Sequence, residues 1–182
     1  MTPSPLELAQ WFAFAGRALL SADAAHLRES IEELSATPAV GMEPLVRALA
    51  DSLPEQSATL ETEYIRLFLN PIGSPCLLWQ STREQEARMM GASHHSALAW
   101  YRAAGIEPQA DNEPADHAGL LLSFYARLLR DGADATERAR FVHEHLLWLP
   151  ALGDELDRET HLAFYRDLSR LLRLLVDLET PS

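Results

Sequence analysis

The sequence contains no lysine, and all fifteen of its basic residues are arginine. The absence of lysine excludes Schiff-base catalysis and the lysine of a Walker A phosphate-binding loop. The patterns Gly-x-Gly-x-x-Gly and Gly-x-Ser-x-Gly are also absent, so no motif supports dinucleotide binding or serine-hydrolase chemistry. These absences argue against several common enzyme classes.

Cysteine and long apolar runs are equally scarce. The single cysteine, Cys76, cannot form an internal disulfide, which fits a reducing compartment. No apolar run approaches the ~18 residues that a membrane-spanning helix needs, and residues 1–5 lack the basic region of a signal peptide. We therefore expect a soluble, cytoplasmic protein without stable membrane insertion.

The chain is strongly acidic, with a formal net charge of -12. Nucleic-acid binding depends largely on basic side chains that release counterions, so we expect no nucleic-acid partner and favour cationic ones. A length of 182 residues is natural for one compact core without disulfides or metal. We predict a single domain over residues 1–182.

Apolar residues recur at helical spacing through most of the chain, which predicts an all-α bundle of about eight to ten helices. Ser4-Pro5-Leu6-Glu7 has the pattern of a capping box that opens the first helix, and Ser81-Thr82-Arg83-Glu84 has the same pattern at the start of the stretch 83–104. The pattern predicts helices over about residues 5–20, 24–34, 43–53, 54–69, 83–104 (one helix, or two broken near Gly91), 115–131, 135–149 and 155–178. A hinge over residues 106–114 would then separate an N-terminal set (1–105) from a C-terminal set (115–182).

The stretch Asn112-Glu113-Pro114-Ala115-Asp116-His117 places acidic residues, a proline and an imidazole before an apolar stripe. Proline suits the first position of a helix, so we expect a helix to begin at Pro114. His117 is then in line with the core-facing residues of that helix, and Asp116 flanks them. From the residues alone, Asp116 and His117 are either a helix-start acid with a core histidine or a binding site.

A second group of candidates lies before the middle of the chain. Tyr64, Leu67 and Phe68 share one helix face by their spacing, which is more often a core face than a binding face. The apolar segment from Pro75 to Trp79 would suit contact with an apolar peptide or, equally, a lid folded onto the core.

The spacing of histidines and carboxylates in the sequence gives little support for a metal site or for an acid–base catalytic site. His94, His95, His143 and His145 lack the Glu-x-x-His or His-Glu-x-x-His spacing of helical metal sites. Asp116 and His117 as a catalytic pair would point about 100° apart on a helix, and no nucleophile is near. We expect no catalytic residue, no metal and no cofactor.

Glu113-Pro114-Ala115-Asp116-His117 resembles the hallmark of the TorD/DmsD family of chaperones, and Tyr64-x-x-Leu67-Phe68 resembles a second family element. Between them, Asn70-Pro71, Ser74-Pro75, Met90-Gly91 and Trp100-Tyr101 follow the order of the family. The resemblance implies a cytoplasmic chaperone, not an enzyme. It would bind the twin-arginine leader and the immature body of a molybdenum-cofactor oxidoreductase subunit, assist folding and cofactor insertion, and delay export until the client is mature.

The resemblance also implies which residues bind the leader peptide. They are Tyr64, Leu67, Phe68, Pro75, Trp79, Glu113, Pro114, Asp116 and His117. Asp116 would accept hydrogen bonds from a guanidinium of the arginine pair, and Glu113 would add further negative charge. Monomers and exchanged dimers both occur in such a family, and an exchange would use the hinge. The alternatives are a NarJ-like assembly chaperone, or a helical adaptor, whose client has no leader.

Overall fold

The computed structural model describes residues 3–36, 39, 41–84, 88–107 and 113–180. Within these residues nine α-helices form and no strand does, so the predicted all-α class and number of helices are confirmed. The helices are α1 (Pro5–Leu20), α2 (Ala24–Ala36), α3 (Glu43–Ser52), α4 (Ser57–Tyr64), α5 (Ala92–Ala103), α6 (Ala118–Arg130), α7 (Ala135–His145), α8 (Leu149–Glu159) and α9 (Ala163–Glu179). Most of the predicted hinge, including Asn112, lies outside the described residues.

The first helices agree closely with the sequence pattern. Ser4 and Glu7 form the predicted capping box: the Glu7 N–H donates to the Ser4 hydroxyl, and the Ser4 N–H donates to the Glu7 carboxylate. The fourth predicted helix is divided, because α4 ends at Tyr64 and a π-helical turn, Ile65–Leu69, continues it. A π turn shifts the register of side chains, and such turns are frequent at functional sites.

The stretch 83–104, predicted as one helix or as two broken near Gly91, is α-helical only from Ala92 onward among its described residues. Gln80–Arg83 form a short 3-10 turn, and α5 begins only at Ala92. The carboxylate of Glu84, which the sequence suggested for a capping box at residues 81–84, instead accepts the N–H groups of Ala92 and Ser93 and caps α5. The long-range cap replaces the local one because it satisfies two N–H groups that the helix itself cannot pair.

Residues 135–179 contain three helices where two, over 135–149 and 155–178, were predicted. A break at residues 146–148 separates α7 from α8, where Pro150 occupies the first turn of the new helix. A second break at Thr160 separates α8 from α9. Proline lacks the N–H that a continuing helix needs, so it favours a fresh start over a longer helix.

The two predicted helical sets pack against each other through α1, which contacts α2, α6 and α9. The crossing of α1 and α6 is close because two glycines face each other: a Cβ on Gly16 would lie 2.8 Å from the carbonyl oxygen of Gly119. A Cβ on Gly119 would lie 2.7 Å from that of Gly16. This crossing fixes α6, and with it the segment that precedes α6, against the centre of the bundle.

A buried carboxylate joins α4 to the connection between α8 and α9. Glu63 accepts two hydrogen bonds from Arg66 at 2.8 and 2.9 Å, one from the Thr160 hydroxyl at 3.0 Å and one from the His161 N–H at 2.6 Å. Burial alone would raise the pKa of Glu63, but these donors outweigh it and lower the pKa from 4.5 to about 2. Glu63 therefore holds distant parts of the chain together as an ionised group.

Candidate functional site

The segment before α6 is the centre of the candidate site, and it is not helical. Helix α6 begins at Ala118 rather than at Pro114, so the predicted start was four residues too early. His117 is the N-cap: its backbone is extended, and its Nδ1 accepts the Gly119 N–H at 3.1 Å. The helix starts later because the backbone before it is engaged in pairing with another segment.

That partner is the loop around Trp79. The N–H of Ala118 donates to the Leu78 carbonyl at 2.7 Å, and the N–H of Gln80 donates to the Asp116 carbonyl at 3.1 Å. Trp79 and His117 thereby form an isolated antiparallel bridge, and their rings meet edge to face with centroids 5.7 Å apart. The apolar segment that the sequence left open thus folds back onto the protein at Leu78 and Trp79.

Asp116 faces inward. Its side chain is fully buried, and one carboxylate oxygen accepts the Ser81 N–H at 2.7 Å. The other oxygen, Oδ1, has no hydrogen-bond partner among the described residues and lies 3.8 Å from Nδ1 of His94. In this arrangement Asp116 positions the loop at Ser81, and a guanidinium from outside cannot reach it without movement of the segment.

Two neutral histidines, His94 and His117, hold the same segment in place through hydrogen bonds to its backbone. His94 Nδ1 accepts the Ala115 N–H at 3.0 Å, and the Tyr101 hydroxyl donates to the Ala115 carbonyl at 2.7 Å. Burial lowers the pKa of His94 and lowers that of His117 to about 4, in each case against the opposing charge of Asp116. Both Nδ1 atoms accept backbone N–H groups, which requires the unprotonated ring, so protonation would remove a contact that holds the segment.

An open groove of about 570 Å³ lies between α5, α6 and the described ends of the hinge, residues 106–107 and 113–114. Its lining is mainly apolar and includes Leu98, Ile106, Leu120 and Phe124. The full set of lining residues is Met90, His94, Leu98, Tyr101, Arg102, Ile106, Glu107, Glu113, Pro114, Ala115, Leu120, Ser123, Phe124, Arg127 and Arg130. A groove of this size can hold several side chains of a bound segment.

Charged residues distinguish the two ends of the groove. At the end nearest the starts of α5 and α6, the exposed Glu113 lies next to Pro114 and Ala115. The backbone N–H of Ala115 donates to His94 Nδ1. At the other end, Arg127 donates to the Ala104 carbonyl at 3.1 Å, which places the last turn of α5 beside the second half of α6. Arg102, Arg127 and Arg130 line that end together with Glu107.

The structure divides the nine predicted leader-binding residues into three groups. Glu113 and Pro114 line the groove. Trp79, Asp116 and His117 lie in the bridged segment, with Asp116 and His117 buried. Tyr64, Leu67, Phe68 and Pro75 do not line the groove.

Tyr64, Leu67 and Phe68 are buried in the core. The Tyr64 hydroxyl donates to the Leu19 carbonyl at 3.0 Å, and Phe68 packs against the rings of Tyr64 and Tyr165. Burial raises the pKa of Tyr64 to about 12, and the negative charge of Glu113 adds to this shift. Pro75 is half-buried beside Cys76, whose N–H donates to the Leu67 carbonyl at 3.1 Å.

Sequence reasoning missed most of the groove. The lining residues of α5 (His94, Leu98 and Tyr101) and of α6 (Leu120, Phe124 and Arg127) recur every three or four positions, which is one face of each helix. That periodicity was a usable signal. It indicates a core face as readily as a groove, because only packing decides whether another helix covers the face.

The described residues contain no group of three or more His, Cys, Asp or Glu side chains arranged to hold a metal ion. His145 instead meets Gln80 Oε1 at 2.9 Å and the Ser96 hydroxyl at 3.1 Å. None of the described helices is both long enough and apolar enough to cross a bilayer.

Comparisons with known proteins agree with the family resemblance of the motifs. The sequence model of the family described as nitrate reductase delta subunit matches residues 22–154. The Tat proofreading chaperone DmsD of Salmonella typhi is 32% identical over 132 residues, which cover 71% of this chain and 63% of that protein. The chaperone protein TorD of Vibrio vulnificus (strain YJ016) is 28% identical over 150 residues, which cover 72% of this chain and 70% of that protein.

A solved structure shares the fold. The crystal structure assigned to a redox enzyme maturation protein from Archaeoglobus fulgidus superposes with a TM-score of 0.64, covering 94% of this chain and 93% of that one, at 17% identity. The predicted resemblance to the TorD/DmsD chaperones is thus confirmed. Since the family model spans most of its length, the chain belongs to the nitrate reductase delta subunit family.

Proposed function

We propose that this protein is a cytoplasmic chaperone that binds the twin-arginine leader and the immature body of a molybdenum-cofactor oxidoreductase subunit. By holding the leader, it would keep the client from the export machinery while the client folds and receives its cofactor. Release would follow when folding of the client removes the second contact, because the loss of one of two linked contacts lowers avidity sharply.

The observation that carries this proposal is the apolar groove with an exposed carboxylate at one end. A twin-arginine leader has two guanidinium groups followed by an apolar segment. Leu98, Leu120 and Phe124 offer an apolar surface for that segment, and Glu113 offers a carboxylate for a guanidinium. The net charge of -12 also favours the approach of a cationic peptide.

Within this proposal the predicted residues have different roles. Glu113 and Pro114 contact the leader directly, whereas Asp116 and His117 hold the segment that presents them. Trp79, on the other segment of the bridge, packs its ring against that of His117. A direct contact between Asp116 and a leader arginine requires the segment to open, because the carboxylate is fully buried. Tyr64, Leu67 and Phe68 contribute by fixing the core behind the hinge.

A second candidate is an assembly chaperone whose client has no leader. The match to the nitrate reductase delta subunit family supports it. The groove would then receive an apolar segment of the client body, and the arginine pair would be dispensable.

Calorimetric titration distinguishes the two candidates. The full chain is titrated with synthetic twin-arginine leaders from the molybdoenzymes of its own genome, and with the same peptides carrying alanine for both arginines. We expect micromolar or tighter binding to one leader and a clear loss on arginine replacement. Binding that ignores the arginines favours the second candidate, and no binding to any leader refutes the first.

Matched variants test the groove itself. Leu120→Gln should weaken leader binding at least about tenfold, because burial of one leucine contributes about 1.5–3 kcal/mol. Leu6→Gln is the control, because Leu6 is 63% exposed and lies on α1 away from the groove. Glu113→Gln is compared with Glu55→Gln, which removes the same charge from an exposed loop position. Equal effects within either pair would exclude the groove as the leader site.

A further inference from the structure

The basic end of the groove suggests a partner feature beyond the arginine pair. Arg102, Arg127 and Arg130 line one end of a groove in a chain with 27 acidic and fifteen basic residues. Several arginines of the described chain form ion pairs within the protein, as Arg66 does with Glu63 and Arg83 with Glu155. Guanidinium groups gathered at one end of an apolar groove can bind an anionic group of a ligand that occupies the groove.

Two of these arginines remain available for a ligand. Arg127 pairs with Asp131 at 3.1 Å and donates to the Ala104 carbonyl. Arg102 and Arg130 are exposed, and neither forms an ion pair with a carboxylate of the described residues. Among the described residues that line this end of the groove, Glu107 is the one carboxylate beside these guanidinium groups.

The two charged ends are separated along the groove. Leu120 is an apolar lining residue near the start of α6 and Arg130 is the last residue of that helix, so the helical rise gives the groove a length of about 15 Å between these two residues. The Glu113 end favours a cation and the Arg102–Arg130 end favours an anion. A ligand that satisfies both ends carries opposite charges at its two ends and apolar side chains between them.

We propose that Arg102 and Arg130 bind an acidic side chain of the client peptide, downstream of its apolar segment. This inference rests on the proposed function, because the same peptide would place its arginine pair at Glu113. The groove would then bind peptides whose basic, apolar and acidic residues follow one another in that order. This order fixes the direction of the bound peptide and selects among leaders of similar hydropathy. A separation of about 15 Å corresponds to about four or five extended residues or about ten helical ones.

The test uses pairs of synthetic peptides that differ in one group. Each begins with two arginines, continues with a spacer of about four to about ten alanine and leucine residues, and ends with glutamate or glutamine before an amidated terminus. For one spacer length, we expect the glutamate peptide to bind the full chain about threefold more tightly than the glutamine peptide. This preference should shrink as salt is raised, because both arginines are exposed.

Arg102→Gln and Arg130→Gln should each remove part of the preference, and the double variant should remove all of it. In the double variant the glutamine peptide should bind as it does to the unchanged chain. Arg47→Gln is the matched control, because Arg47 is exposed on α3 and does not line the groove.

The outcomes separate this inference from the proposed function. Equal binding of both peptides at every spacer length, with binding that still needs the arginine pair, overturns the inference and leaves the proposed function standing. A preference that survives in the double variant also overturns it. If neither peptide binds at any length, and no natural leader binds either, the proposed function fails and the inference fails with it.

Discussion

Replacing Glu63 by glutamine should lower the free energy of unfolding by about 3 kcal/mol near neutral pH and by much less in acid. The side chain of Glu63 is only 7% exposed, so solvent screens its contacts little. Its pKa falls from 4.5 to about 2 in the folded protein, because Arg66, His161 and Thr160 donate to the carboxylate and outweigh the cost of burial. At about 1.4 kcal/mol for each pKa unit, the difference between the two pKa values amounts to about 3 kcal/mol.

The pH dependence follows from the direction of the shift. Because the pKa is lower in the folded state, the contribution is fully present above the unfolded value of 4.5 and is lost as the pH falls toward about 2. Urea unfolding of both proteins, followed by circular dichroism, should show the large difference near neutral pH and a smaller one at about pH 3.

Glu61→Gln is the control for this experiment. Glu61 lies on the same helix, is exposed, and its side chain makes no hydrogen bond to the described residues. It should therefore change stability by less than about 0.5 kcal/mol. If both variants lose the same stability, or if the loss in Glu63→Gln is independent of pH, the reasoning about the buried carboxylate is refuted.

Three further predictions concern the segment before α6 and the helix crossing beside it. Gly16→Ala should destabilise the fold by about 2 kcal/mol, because its Cβ would lie 2.8 Å from the Gly119 carbonyl oxygen; an unchanged melting temperature would contradict this packing. Asp116→Ala should cost about 1–3 kcal/mol more than Asp116→Asn, since asparagine keeps an acceptor for the Ser81 N–H; equal losses in thermal unfolding would contradict that role. With a folded pKa of about 4, His117 should reduce stability as the pH falls below about 6.5. His117→Asn, which keeps an N-cap but does not titrate, should lose about 2 kcal/mol less between pH 7 and pH 5 in urea unfolding, and an unchanged pH dependence would contradict this.

The sequence pattern succeeded where the structure depends on neighbours in the chain. The capping box of Ser4 and Glu7 and the bounds of α1 involve residues within a few positions of each other, so local periodicity and capping chemistry suffice. The same reasoning failed at Glu84, whose carboxylate caps a helix that starts eight residues later. It failed again at Pro114, because the backbone there pairs with a loop from a distant part of the sequence.

The candidate site shows the same division. The residues of the hinge motif could be named from the sequence, because their types and order are a local pattern. The sequence could not predict whether each side chain points outward or inward, because this depends on contacts between distant residues. The contact of Asp116 with Ser81, 35 positions apart, is an example. Glu113 and Asp116 have the same chemistry in the sequence, yet one is exposed at the groove and the other is fully buried.

By itself, the sequence determined the helical class, the first helix boundaries, the acidic charge and the motif that identifies the family. Each of these follows from composition or from spacing within a few turns of helix. Only the tertiary structure decided that Tyr64, Leu67 and Phe68 belong to the core, that Leu78 and Trp79 fold back onto the segment before α6, and that α5 and α6 leave an open groove between them. Helical periodicity specifies which face of a helix is apolar, whereas the packing of helices distant in sequence decides whether that face is covered.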